Sequence, residues 1–196
     1  MKKTFIILTT TLICSFTMAQ DFKKNITTAQ NSYKAGELQD AHFALLQMMQ
    51  DLDITIGKEV LKLFPASMDS LQAVPKEESV FGSNQLAGVT IEKKYGLYAK
   101  KGELSIVINS PLLNTINTYI NSPLMAGFSS DPNTKIVKVG NYKAKLIKEN
   151  DEQNNYALEI PLSNALLTLK ITNSSENELL SMASTIPIAK MASLVQ

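Results

Sequence analysis

Proton transfer near neutral pH falls most readily to histidine, and this 196-residue chain carries a single one, His42. A serine-histidine-acid relay therefore has one position for its base, and mechanisms that need two imidazoles are excluded within one chain. On a helix the neighbours of His42 one turn away are Leu38, Leu45 and Leu46, while Asp40 points elsewhere, so no acid orients the ring locally. The nearest approach to a nucleophile elbow is Gly127-Phe128-Ser129-Ser130-Asp131. It lacks the second glycine and follows a helix and loop where that motif needs a strand, so it reads as a loop. No serine precedes a lysine by three positions, the spacing that would align a serine-lysine pair on one helical face, and no phosphate-cradling glycine pattern occurs. The run Glu149-Asn150-Asp151-Glu152-Gln153-Asn154-Asn155 has oxygens that calcium accepts, but without the loop glycine and distal bidentate glutamate it reads as a solvated hairpin loop. Glu77 and Glu78 lie together with no apolar pocket to shift either carboxyl. No catalytic, cofactor-binding or metal-binding set emerges, and no cofactor is expected.

Two features stand out as contact surface rather than chemistry. Asn-Ser-Pro-Leu occurs at residues 109–112 and again at 121–124, bracketing one short segment; Asn and Ser bond to nearby backbone there and Pro fixes the turn. Beside the second copy lie Leu124, Met125 and Phe128, an apolar group that can adapt to a partner because methionine packs against varied shapes. Met48 and Met49 are adjacent on a helix and cannot face the same way, so Met49 marks a second apolar face.

The elements that must position these groups begin with a leader. Lys2 and Lys3 precede an apolar run over residues 5–16, and Thr17-Met18-Ala19 offers a small-residue cleavage site, so residues 1–19 are expected to be a signal peptide and the product to be periplasmic or secreted. The run is too short for a membrane span, and no later stretch approaches the roughly 20 apolar residues needed. Cys14, the only cysteine, leaves with the leader; Ile13 before it is too large for lipoprotein processing, and the mature chain can form neither a disulfide nor a thiolate metal site. The chain has no arginine and a net charge of +1, which is not the electrostatic footprint of a nucleic-acid binder.

Residues 20–64 read as an antiparallel helical hairpin. Phe22, Ile26, Ala29 and Tyr33 recur at helical spacing, Gly36 ends the first helix, and Leu38, Ala41, Leu45, Met48, Leu52, Ile56, Val60 and Leu63 form the expected inner stripe of the second. Gly57 marks an expected kink or break, and Pro65 a stop. Phe43, Leu46 and Met49 lie off that stripe and are expected to be covered by the rest of the chain. Residues 65–87, with Pro65, Pro75 and Gly82, read as a linker holding at most a helical turn at 68–73. From 88 to 196 the period changes to two: strands are expected over 89–95 and 104–108, 135–139 and 142–148, and 156–162 and 166–172, with Gly140-Asn141 as a hairpin turn. Ser110-Pro111 opens one helix towards Ile120, and Ser175 with Glu178 makes a capping box for another that Pro187 interrupts. The fold class is therefore α+β, a helical hairpin followed by a six-stranded, mostly antiparallel sheet with two covering helices.

The stretch Tyr33-Lys34-Ala35-Gly36-Glu37-Leu38-Gln39-Asp40-Ala41 resembles the turn of a tetratricopeptide repeat, which implies a helical hairpin; no second copy occurs at the 34-residue period of an array. In element order residues 88–196 are similar to the Mog1/PsbP-like α+β domains. Tyr33-Lys34-Ala35-Gly36, Asn109-Ser110-Pro111-Leu112, Asn121-Ser122-Pro123 with Ala126-Gly127, and Met182-Ala183-Ser184-Thr185-Ile186 together resemble a group of exported bacterial proteins, without an assigned activity, that join such a hairpin to such a sheet. That resemblance implies a periplasmic address and a shared fold, and hands over no catalytic residue or cofactor. The functional expectation is a non-catalytic binding or protein-interaction module meeting an envelope protein through Leu124, Met125, Phe128 and Met49. The alternatives are a carrier holding a lipid or other apolar small molecule between the sheet and the helix over 111–120, and an enzyme of undeclared class. Sequence leaves the oligomeric state open.

Overall fold

A computed structural model describes residues 17–82, 88–122, 131–149 and 154–195. The chain divides into two compact units at the Asp51-Leu52 bond. In the first, helix α1 (Thr17–Ala35) turns into helix α2 (Leu38–Leu61). Gly36 makes the turn at φ +79°: its N–H donates to the Tyr33 carbonyl (3.1 Å) and that of Glu37 to Ser32 (2.9 Å), the paired bonds of a Schellman cap. An added Cβ at Gly36 would meet nothing, so the backbone angle alone calls for glycine here. Asn25 Nδ2 donates to Asp51 Oδ2 (3.4 Å), tying one helix to the other.

The buried residues of this unit are small: Ala29, Ser32, Ala41 and Ala44. Small side chains let two helix backbones come close, and the expected stripe holds in part: Ala41 and Val60 are buried and Met48, Ile56 and Leu63 half-buried. Leu38 and Leu45, together with Leu52 at the start of the second unit, are exposed, as is Tyr33. Phe43, Leu46 and Met49, expected to be covered, are exposed too.

The second unit is built on an eight-stranded sheet, entirely antiparallel, where six strands were expected. The two additional strands come from the expected linker: β1 (Ser67–Met68) and β2 (Leu71–Gly82). Their signal is weak because β2 breaks its alternation at Pro75 and Lys76 (φ +66°), where the register against the next strand shifts between Ala73 and Glu78. Then follow β3 (Val89–Tyr95), β4 (Gly102–Ile108), helix α3 (Leu113–Asn121), β5 (Thr134–Val139), β6 (Tyr142–Lys148), β7 (Tyr156–Pro161), β8 (Ala165–Ile171) and helices α4 (Glu176–Ser184) and α5 (Ile188–Leu194). The spatial order β1-β2-β3-β4-β8-β7-β6-β5 is two four-stranded meanders meeting at β4 and β8.

Local chemistry explains the joints. Gly140 (φ +56°) and Asn141 close the β5–β6 turn, and β7 lies inside the sheet and ends at Pro161. Ser110 Oγ accepts from the Leu112 N–H (3.3 Å) as a helix cap would, although α3 itself begins two residues beyond Pro111. Ser175 and Glu178 form the expected capping box, and α5 starts after Pro187, so among the described residues three helices follow the hairpin where two were expected.

One face of the sheet carries Ile91, Leu104, Ile106, Leu158, Ile160, Leu167 and Leu169, all fully buried, against Leu179 and Met182 of α4 and Met191 of α5. Val60 and Phe64, at and just past the end of α2, join the same core. The expected break at Gly57 is absent, because α2 runs on as one helix. The glycine is there for closeness: a Cβ would lie 2.8 Å from Val80 Cγ1 and 3.1 Å from Ile91 Cγ1.

Candidate functional site

Strand alternation puts polar side chains on the opposite sheet face, and pairing lines them up. In register across five strands stand Glu92, Ser105, Thr168, Glu159 and Lys145, all half-buried. The connection from β4 at the middle of the sheet to β5 at its edge carries α3 against β6 and β7 near this row. Lys145 Nζ sits 3.5 Å from Glu159 Oε2 and 5.4 Å from the centre of the Tyr119 ring of α3. Among the described residues Glu159 Oε2 is buried and accepts no hydrogen bond, and Lys145 is its ion-pair partner. This row escaped the sequence reading because its members are far apart in the chain; only strand register brings them together.

The row has hydroxyls between carboxylates but no histidine. The carboxylate beside Thr168 is already engaged with a lysine, which is a charge-satisfied surface rather than an activated nucleophile. Among the described residues no group of three or more His, Cys, Asp or Glu side chains converges as metal ligands would. Tyr95, whose hydroxyl donates to the Pro65 carbonyl (2.9 Å), has its ionisation pushed far up, chiefly by burial, and serves the core. Burial likewise raises the carboxyl of Asp53, which accepts from Asn109 Nδ2 at 3.3 Å.

Between sheet and α3, where an apolar cargo was expected as an alternative, Ile116, Ile120 and Leu166 are buried together, with Leu113 and Tyr119 packed on them. Of the acidic run, residues 150–153 lie outside the described residues; Glu149 and Asn155 are joined backbone to backbone at 2.9 Å. Leu124, Met125 and Phe128, with the 127–130 part of the loop that approaches a nucleophile elbow, also lie outside the described residues. So do residues 1–16 of the expected leader.

Of the surface residues singled out from sequence, Met49 is described, and it is 60% exposed on α2. Leu38 (62%) and Leu45 (49%) share its helix face, and His42, also exposed, stands among them. Leu46 widens the apolar area to one side. The signal was present in the sequence as the spacing 38, 42, 45, 49, alternating four and three. Among the described residues no helix is long and apolar enough to cross a membrane. No family model, curated protein or solved structure matches the chain.

Proposed function

We propose that this chain is an exported, non-catalytic protein-interaction module whose contact surface is the apolar face of α2. One observation carries the reading: Leu38, Leu45 and Met49 lie on one helix face, each about half or more exposed. Covering a large apolar side chain is worth roughly 1.5–3 kcal/mol, so a face of this kind gains by being covered. Soluble domains rarely leave contiguous apolar patches of more than a few hundred Å² open without a use for them. The apolar side chains packed beneath α3, and the Lys145–Glu159 pair in the polar row, favour the module over a carrier or a hydrolase. Export rests on the leader pattern of residues 1–19 and would bring the face to envelope proteins.

The test is a photo-reactive amino acid placed in living cells at Leu45, with Lys23 of α1 as a control position. Protein adducts at Leu45 and few at Lys23 are expected. Absence of any protein adduct at Leu45 would overturn the reading.

A further inference from the structure

Leu38, His42, Leu45 and Met49 follow one another at spacings of four, three and four, and Leu52 continues the series at three. Spacing that averages 3.5 residues keeps a stripe facing a neighbouring helix, whereas an ordinary amphipathic helix repeats at 3.6 and shows a broader face. In heptad terms Leu38, Leu45 and Leu52 occupy d positions and His42 and Met49 occupy a positions. The positions on the α1 side of this seam, Ala41 and Ala44, are already buried, so the seam itself is the face left open.

We infer that the occupant of this face is a second copy of the same chain, its α2 lying antiparallel to the first. This rests on the interaction-module reading above and names its partner.

Two observations select a second copy, and a third sets its direction. A two-fold pairing requires a surface complementary to itself, and the seam carries no Asp, Glu or Lys that would meet its own kind across the axis. The direction follows from His42. In a parallel pair His42 would face the other copy's His42; in an antiparallel pair each a position faces a d position, so Leu38 meets Met49 and His42 meets Leu45. The area also fits: the exposed parts of Leu38, His42, Leu45, Leu46 and Met49 come to roughly 500 Å² per copy, so a pair buries about 1,000 Å², the lower bound for a specific interface. An interface of that size gives a modest, concentration-dependent dimer.

Sedimentation velocity on the purified protein tests the pairing. The wild-type chain should sediment as a dimer at about 100 μM and dissociate on dilution, as expected of an interface of this size. Leu45→Glu should sediment as a monomer with an unchanged circular-dichroism spectrum, and His42→Leu, which removes a polar group from an a position, should tighten the dimer by about 10-fold. For direction, in a Cys14→Ser background, Leu38→Cys chains mixed with Met49→Cys chains should join through a short thiol crosslinker, while neither variant should join to itself. A wild-type chain that stays monomeric, or a Leu45→Glu chain that stays dimeric, overturns the self-pairing; Met49→Cys joining to itself overturns the antiparallel direction. If the wild type is monomeric yet Leu45 photo-crosslinks to a different protein, self-pairing fails and the module reading stands. If Leu45 yields no protein adduct, both fail.

Discussion

Gly57 sits under two opposing demands. In a helix interior glycine costs about 1 kcal/mol relative to alanine, which would favour replacing it. A methyl there, however, would come 2.8 Å from a stiff, β-branched Val80 and 3.1 Å from Ile91, and overpacking of that kind costs about 1–3 kcal/mol. The second demand wins: Gly57→Ala should lower stability by about 1 kcal/mol in urea unfolding, and Gly57→Leu by at least about 3 kcal/mol. Glu178 gives a prediction of a different kind. The hydrogen bond it accepts from Lys100 Nζ (2.8 Å), then that from the Ser175 N–H (2.8 Å), hold its carboxyl below the ordinary value of 4.5. A carboxyl lowered by folding contributes stability above pH 4.5 and loses it as pH falls through the folded value. The urea midpoint should therefore fall on acidification below about pH 4.5, and Glu178→Gln should flatten that fall while lowering the midpoint at pH 7. The capping box behind this was legible from Ser175 and Glu178 alone, because a cap is a contact between residues three apart. The Lys100 partner was not, because it depends on how α4 meets the β3–β4 turn.

The same divide between local and distant causes runs through the elements. The hairpin turns at Gly36 and Gly140 and the strands of both meanders from β3 onward could be read, since their causes lie within a few residues. Strand β2 could not, because Pro75 and the charges after it argue against a strand when taken alone. In place they serve another end. Leu71 and Gln72 of β2 pair with β1 and the Ala73 N–H donates to the Ala66 carbonyl (2.9 Å), so among the described residues no strand pairs with this edge from Val74 on, and proline with exposed charge discourages a second sheet from adding to it. Pro75→Val combined with Glu77→Val should raise light scattering on concentration while moving the melting point little, since the lost Lys94–Glu77 pair is exposed. The stripe of α2 is legible only in part for a related reason: periodicity locates faces but does not rank them, and Ala41 and Val60 turn inward while Leu38, Leu45 and Leu52 stay exposed.

At the scale of the whole molecule, the boundary inside α2 makes a prediction about truncation. Val60 and Phe64 are buried in the core of the second unit, whereas the helix before Leu52 belongs to the first. A chain starting at Leu52 should keep most of the full chain's stability. One starting at Ala66 gives up two fully covered side chains and should lose about 3–6 kcal/mol, out of a typical 5–15, in matched thermal or urea unfolding. The seam between the meanders has a consequence in time rather than in stability. Every other pairing in the sheet joins strands consecutive in the chain, but β4 meets β8 across 57 residues at Ile108–Ala165 and 69 at Gly102–Ile171. Closing so long a loop costs entropy before any contact repays it, which makes this the slow step. The two halves should gain structure early and zip together last, so truncating Ile106 or Leu167 to alanine should slow refolding, while truncating Val139 at the far edge should mainly hasten unfolding. A newly made chain would then pass through a stage in which two half-sheets each present an unpaired inner strand, and the speed of that last zippering, more than the depth of the final well, would decide how much of it escapes aggregation.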